Sequence, residues 1–175
     1  MIQTKPWVER RFAFDTPVWQ FPLLLERLRG TPARLEDRLR DLPAETLRRR
    51  DGDTWSIQEN AGHLLQVETL WFRRLEDYDA GRAELRAADM ENRATKGASY
   101  NEQPLPAILA AFRASREKLL AALEALDEAG AERTAHHPRL HRPMRVIDMV
   151  YFAAEHDDYH LARISELRRK FAAGE

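Results

Sequence analysis

His156 and His160 stand four residues apart near the end of the chain, in Glu155-His156-Asp157-Asp158-Tyr159-His160. On a helix that spacing stacks one imidazole a turn above the other, so both can reach a single ion. In helical projection the pair falls on the face shared by Val146, Met149, Ala153, Ile164, Leu167 and Phe171, with Asp157 at its edge. Leaving either ring buried and unsatisfied would cost about 1–3 kcal/mol, and a divalent metal would satisfy both. By itself the H-x-x-x-H spacing is a weak signal, because buried His bonded to Ser, Asp or backbone is common. His63 is a third candidate. It flanks the apolar stripe of an earlier helical segment, beside Val67 and Leu70. In a bundle, a His from one helix can meet a pair from another, giving three neutral ligands and an open position for water. Glu59, one turn before His63, either orients that ring as an acceptor or only completes a helix cap. Asp157 is a candidate base, with an ion pair at the helix margin as the plainer reading.

Four helical stretches have to bring these residues together. Phe21, Leu25, Leu28, Leu35, Leu39 and Leu42 keep helical phase across Gly30-Thr31-Pro32, which predicts one kinked helix, with two short helices as the alternative. Ser56 and Glu59 fit a capping box at the start of a second helix, whose stripe of Ile57, Ala61, Leu64, Trp71, Leu75 and Tyr78 ends near Gly81. Residues 82–103 are polar and weakly periodic, long for a connection in a compact bundle. Pro104 and Pro106 open a third helix bearing Ile108, Leu109, Phe112, Leu119, Leu123 and Leu126. A loop with His and Pro, from Thr134 to Pro143, leads to the last helix, from about Arg145 to Ala172. The pattern predicts an all-α chain, a four-helix bundle formed as a single domain over 1–175, with residues 1–17 as an N-terminal arm. The long second connection predicts a crossover between helices two and three, which then run the same way.

The segment Trp55-Ser56-Ile57-Gln58-Glu59-Asn60-Ala61-Gly62-His63-Leu64 resembles the W-S-x-x-E-x-x-x-H-L signature of the DinB/YfiT-like family. The last-helix H-x-x-x-H resembles that family's second motif, in the same order and separation, over roughly Phe21 to the C-terminus. The resemblance implies a down-up-up-down four-helix bundle, with 82–103 as its crossover. It also implies a divalent metal, often nickel or zinc, on His63, His156 and His160, and in many members a dimer. Characterised relatives of that family include S-transferases that use mycothiol or bacillithiol, and a mycothiol-dependent maleylpyruvate isomerase. The expected function is therefore a metal-dependent enzyme of hydrolase or thiol S-transferase type acting on a small molecule. Metal-bound water or thiolate would be its reactive group, with a low-molecular-weight thiol as cosubstrate in the S-transferase case. The alternatives are a noncatalytic helical dimer or a small-ligand sensor in which the His residues are structural.

Composition sets limits on this chemistry. The 175 residues contain six His and no Cys, which excludes disulfide scaffolds, zinc ribbons and thiol nucleophiles of the protein's own. With 28 Lys and Arg against 29 Asp and Glu, the net charge of −1 argues against a nucleic-acid partner held by bulk attraction to phosphate. No apolar run has the length of a membrane span and no signal-peptide core is apparent, so a cytoplasmic protein without a membrane partner is expected. Weaker candidates remain. His136, His137 and His141 read as a solvated loop rather than a second metal site. Arg48, Arg49 and Arg50 read as surface rather than a pocket mouth for an anionic cosubstrate. Glu68 reads as a salt bridge to a neighbouring helix, with a pocket role as the alternative. Trp7, Trp19, Trp55 and Trp71 read as packing residues, and exposed faces of Trp71 and Phe72 could support a dimer.

Overall fold

The structure, a computed structural model, describes residues 4–173. Its helices are α1 (Phe21–Arg29), α2 (Thr31–Leu39), α3 (Ala44–Arg48), α4 (Ile57–Asp79), α5 (Arg93–Gly97), α6 (Leu105–Glu124), α7 (Glu128–Glu132) and α8 (Val146–Ala172). The strands β1 (Thr134–His137) and β2 (Arg142–Arg145) precede α8. Short 3-10 turns lie at Trp7–Glu9, Val18–Gln20 and Tyr100–Glu102.

Helices α1 and α2 form one kinked rod. Gly30 keeps right-handed helical dihedrals, φ −73° and ψ −17°. Its N–H donates to Glu26 O and its carbonyl accepts from Arg34 N, each at 3.0 Å. Pro32, with no N–H to donate, sits where the ladder is interrupted. The capping box of α4 forms as its sequence predicts: Ser56 Oγ accepts from Glu59 N at 3.0 Å, and Glu59 Oε2 accepts from Ser56 N at 2.8 Å.

Two buried clusters fix the helix directions. One joins Leu35 and Leu39 of α2, Ile57, Ala61 and Leu64 at the start of α4, Ile108 and Phe112 at the start of α6, and Leu161, Ile164 and Leu167 late in α8. The other joins Phe21 to Leu28 of α1, Trp71, Leu75 and Tyr78 late in α4, Leu119 to Leu123 late in α6, and Val146 to Ala154 early in α8. Helices α4 and α6 therefore run parallel, opposite to α1–α2 and α8. Each of α4 and α6 packs against α8 or the α1–α2 rod as well as against the other. Parallel neighbours demand a crossover, and the chain between α4 and α6 supplies it.

That crossover is pinned to α4. Gln58 Nε2 donates to the carbonyls of Tyr100 at 2.6 Å and Gln103 at 2.8 Å, and Ser56 Oγ donates to Asn101 Oδ1 at 2.7 Å. The Tyr100 ring lies flat against Gly62: a Cβ there would stand 2.1 Å from Tyr100 Cγ. Only a residue without a side chain allows this approach.

The segment from Thr134 to Pro143, expected to be loop, instead forms a small antiparallel hairpin in which Thr134 pairs with Arg145 and His137 with Arg142. Four-residue strands rich in His, Arg and Pro lack the alternation by which strands are read. Their extended form is held from outside, by Leu85 N to His136 O at 3.0 Å and His136 N to Ala83 O at 2.8 Å. The N-terminal arm lies along α8: Arg10 pairs with Glu155, while Arg142 Nη1 donates to Phe12 O and Arg145 Nη2 to Thr16 O, both at 2.8 Å. Among the described residues no helix is long and apolar enough to cross a membrane.

Candidate metal centre

His63 on α4 and His156 and His160 on α8 converge inside the bundle. One ring nitrogen of each lies within 4.8 Å of the others, and all three side chains are buried. His63 Nε2 and His156 Nε2 are 3.3 Å apart. Nitrogens bound tetrahedrally to one zinc-like ion would be about 3.4 Å apart. This pair therefore already sits at ligand spacing.

Their outer nitrogens show which atoms are free to coordinate. His160 Nδ1 lies 2.8 Å from Asn60 Oδ1. The Asn60 amide is oriented by its Nδ2, which donates to Ser56 O at 2.8 Å and Trp55 O at 3.3 Å. An amide oxygen can only accept, so His160 carries its proton on Nδ1 and presents a bare lone pair at Nε2. His63 Nδ1 pairs with Thr95 Oγ1 at 2.9 Å. His156 Nδ1 is buried with no partner among the described residues. Burial pushes His63 and His156 down to about 3, with the adjacent His156 ring adding to the effect on His63 and the Arg116 charge adding to it on His156. His160 is driven well below its ordinary range, chiefly by burial and then by the other two rings. All three are neutral imidazoles at pH 7, the form that binds metal.

Glu59 does not reach His63. Its carboxylate is occupied by Ser56 N and by the Arg50 guanidinium, so capping is the role it fills. Thr95, on the crossover, and Asn60, on α4, are the polar partners of the rings. Asn60 stands one turn before His63, a spacing visible in the sequence, whereas nothing in the aperiodic crossover singles out Thr95. Asp157 faces away from the rings. Its Oδ2 accepts from Thr31 Oγ1 at 2.8 Å and from Arg116 Nη1 at 2.7 Å. The pair with Arg116 lies at the centre of the bundle rather than at the helix margin. Glu68 completes it, accepting from Arg116 Nε at 3.0 Å and Nη2 at 2.6 Å.

A cavity of about 830 Å³ opens onto the three His. Trp7, Trp55 and Trp71 line it, and are thus site walls as well as packing residues. The Trp55 ring centroid is 4.6 Å from His63, and Trp7 meets His156 edge-on at 5.0 Å. Trp71 is buried, not exposed, while Phe72 is 40% and Trp19 69% exposed. Arg48, Arg49 and Arg50 do not line the cavity. Arg50 pairs with Glu59, and Arg49 lies over Phe171. The hairpin histidines part company: His136 is half-exposed beside Glu84, whereas His137 is buried, its Nε2 3.2 Å from Arg74 Nη1. His137 is therefore not the solvated loop residue expected. Its strand folds under against α4, which a loop reading could not anticipate.

A family model for the DinB superfamily matches residues 27–164. No curated protein matches the sequence. Among solved structures, the chain is similar to YfiT from Bacillus subtilis, described as a probable metal-dependent hydrolase with an unusual four-helix bundle topology. The TM-score is 0.80 at 19% identity, over 94% of each chain. It is also similar to a mycothiol-dependent maleylpyruvate isomerase, with a TM-score of 0.67 at 12% identity, over 87% of this chain and 62% of that one. At these identities the likeness is one of fold, and it agrees with the parallel α4 and α6. The match of the family model over most of the chain places it: this protein belongs to the DinB superfamily.

Proposed function

We propose that the protein is a metal-dependent enzyme that holds one divalent ion, nickel or zinc, on His63, His156 and His160, and acts on a small molecule admitted by the adjoining cavity. The observation that carries this reading is the set of three neutral, buried rings with one nitrogen of each within 4.8 Å of the others, and with Asn60 fixing the His160 proton on Nδ1. Without an ion, two facing Nε2 atoms at 3.3 Å would set donor against donor or lone pair against lone pair unless exactly one bore a proton. Three protein ligands leave room for a further one, as catalytic zinc sites do. An ion bound there would supply Lewis acidity, lowering the pKa of a coordinated water or thiol toward about 7. That chemistry suits hydrolysis or transfer of a thiol cosubstrate, and the absence of Cys requires any thiol to come from outside the chain.

The chain's own groups have definable parts. Thr95 and Asn60 orient two rings. Trp55 and Trp7 shield the cluster from bulk water. Asp89, a carboxylate lining the cavity, accepts from Ala94 N at 2.9 Å and carries a charge that reaches His63. The test is metal analysis of protein purified without a His-tag, beside a His156→Ala/His160→Ala variant. About one equivalent in the parent and loss in the variant is expected. Absence of stoichiometric metal in the parent, after nickel and zinc have been offered, would overturn the reading. Assays pairing low-molecular-weight thiols with electrophiles, against ester and amide hydrolysis, then separate the two reaction types.

A further inference from the structure

Among the described residues two guanidinium groups are almost wholly buried, and they are satisfied very differently. Arg116, 1% exposed, spends all five N–H donors on Glu68, Asp157 and Leu28 O. Arg74 is equally buried, yet no carboxylate among the described residues pairs with it. Its Nε and Nη2 both turn to a single carbonyl, Arg86 O, at 3.2 and 3.1 Å, and its Nη1 to His137 Nε2 at 3.2 Å. Of five donors, two are left over. Asp77, three residues along α4, is already engaged by Arg86 and Arg82.

The His137 contact is itself contested. Leu140 N–H approaches Nδ1 at 3.3 Å while Arg74 approaches Nε2, and a neutral imidazole offers only one lone pair. Burial, with Arg139 adding to it, pushes Arg74 down to about 10, and burial, with Arg74 and then Arg139 adding to it, pushes His137 down to about 3. Arg139 lines the same cavity, and no carboxylate among the described residues pairs with it. Trp71, whose ring lies 5.7 Å from the Arg74 guanidinium carbon, has a buried indole N–H with no acceptor among the described residues. This wall of the cavity therefore presents unspent donors and unneutralised charge.

We infer that Arg74 and Arg139 form the binding subsite for a carboxylate of a small organic substrate, with the Trp71 N–H as a further donor. A planar carboxylate matches the fork of a guanidinium and brings the single negative charge that Arg74 lacks. The Trp71 ring is also 5.9 Å from His156, so one indole separates the subsite from the histidine cluster. A molecule of a few carbons anchored at Arg74 extends its other end toward His63, His156 and His160. This orientation rests on the proposed function, whereas the charge argument for the subsite does not.

The test is calorimetric titration of the full chain with benzoate, succinate and inorganic phosphate, and with methyl benzoate as the neutral counterpart. It is run on metal-loaded protein and on protein stripped of metal and dialysed. Benzoate or succinate should bind, methyl benzoate should not, and Arg139→Gln should weaken the carboxylate roughly tenfold or more. Arg74→Gln should abolish binding if circular dichroism shows it folded; if it does not fold, Arg139→Gln decides. The His156→Ala/His160→Ala variant should keep the carboxylate, so a failed metal site and a failed anion subsite are read separately. Equal affinity in Arg139→Gln, equal binding of the ester, or binding of phosphate alone would overturn the inference.

Discussion

Replacing Arg116 with Met tests how the bundle is held around its histidines. The guanidinium is 1% exposed, and the carboxylates it joins, Glu68 on α4 and Asp157 on α8, are 3% and 0% exposed. Flanking carboxylates hold the Arg116 cation above its ordinary range, while burial pushes Glu68 up against the pull of Arg116. A Met fills much of the volume and restores none of the five hydrogen bonds, so two carboxylates are left in the core without a counter-charge. Breaking a buried ion pair from one side costs about 3–5 kcal/mol. For a chain of this size that corresponds to a fall in Tm of about 6–20 °C. Urea unfolding followed by circular dichroism measures the first figure and a thermal scan the second. The control is Arg116→Met combined with Glu68→Gln and Asp157→Asn, which removes the stranded charges and should recover most of the loss. If the single variant loses less than about 1 kcal/mol, the value of an exposed pair, the triad is not the clamp described. A triple variant no more stable than the single one would refute the reasoning equally.

Other outcomes follow from individual contacts. Asn60→Ala removes the acceptor that keeps the His160 proton on Nδ1, and should weaken metal affinity about 10–100-fold in competition with a chelator, with the fold intact. Gly62→Ala drives a methyl into the Tyr100 ring, where a Cβ would meet Cγ at 2.1 Å; overpacking of this kind costs about 1–3 kcal/mol, readable by urea unfolding. The buried His137 titrates near 3 in the folded chain and near its ordinary value when unfolded, so the unfolded state binds the extra proton and stability falls as pH drops below about 6.5. Between pH 7 and 5 His137 should contribute about 2 kcal/mol of that loss, and His137→Gln should lose correspondingly less than the parent over the same interval.

The long helices were legible because each carries one apolar face at helical period, and because Ser56 and Glu59 mark the start of α4 unambiguously. The crossover could be inferred from its length, and the paired core clusters show the parallel α4 and α6 that require it. Its contents could not, since Thr95 and Tyr100 act through contacts with α4 that no local pattern encodes. The hairpin escaped notice for the same reason: its strands are extended because Ala83 and Leu85 pair with His136. Three histidines were readable as a set from spacing and resemblance. The polar residues around them were not, because Glu59 and Asp157 stand at promising positions on the helix yet turn to Arg50 and Arg116.

Arg116 ties these observations together, because it acts on the histidines without touching the cavity. It joins Glu68, five residues after His63, to Asp157, which is next to His156, and so draws α4 and α8 to one spacing through α6. Its charge also adds to burial in disfavouring protonation of His156. One side chain thus ties together the helices that carry the cluster and adds to the burial that keeps one of its rings neutral. The same logic inverted explains Arg74. A cation whose donors are all met is structural and can face the core, as Arg116 does. A cation equally buried but only partly met, with no carboxylate beside it, raises the energy of the empty cavity and lowers that of an anion-filled one. The two arginines thus divide the bundle's polar interior into a part completed by folding and a part left for a ligand to complete.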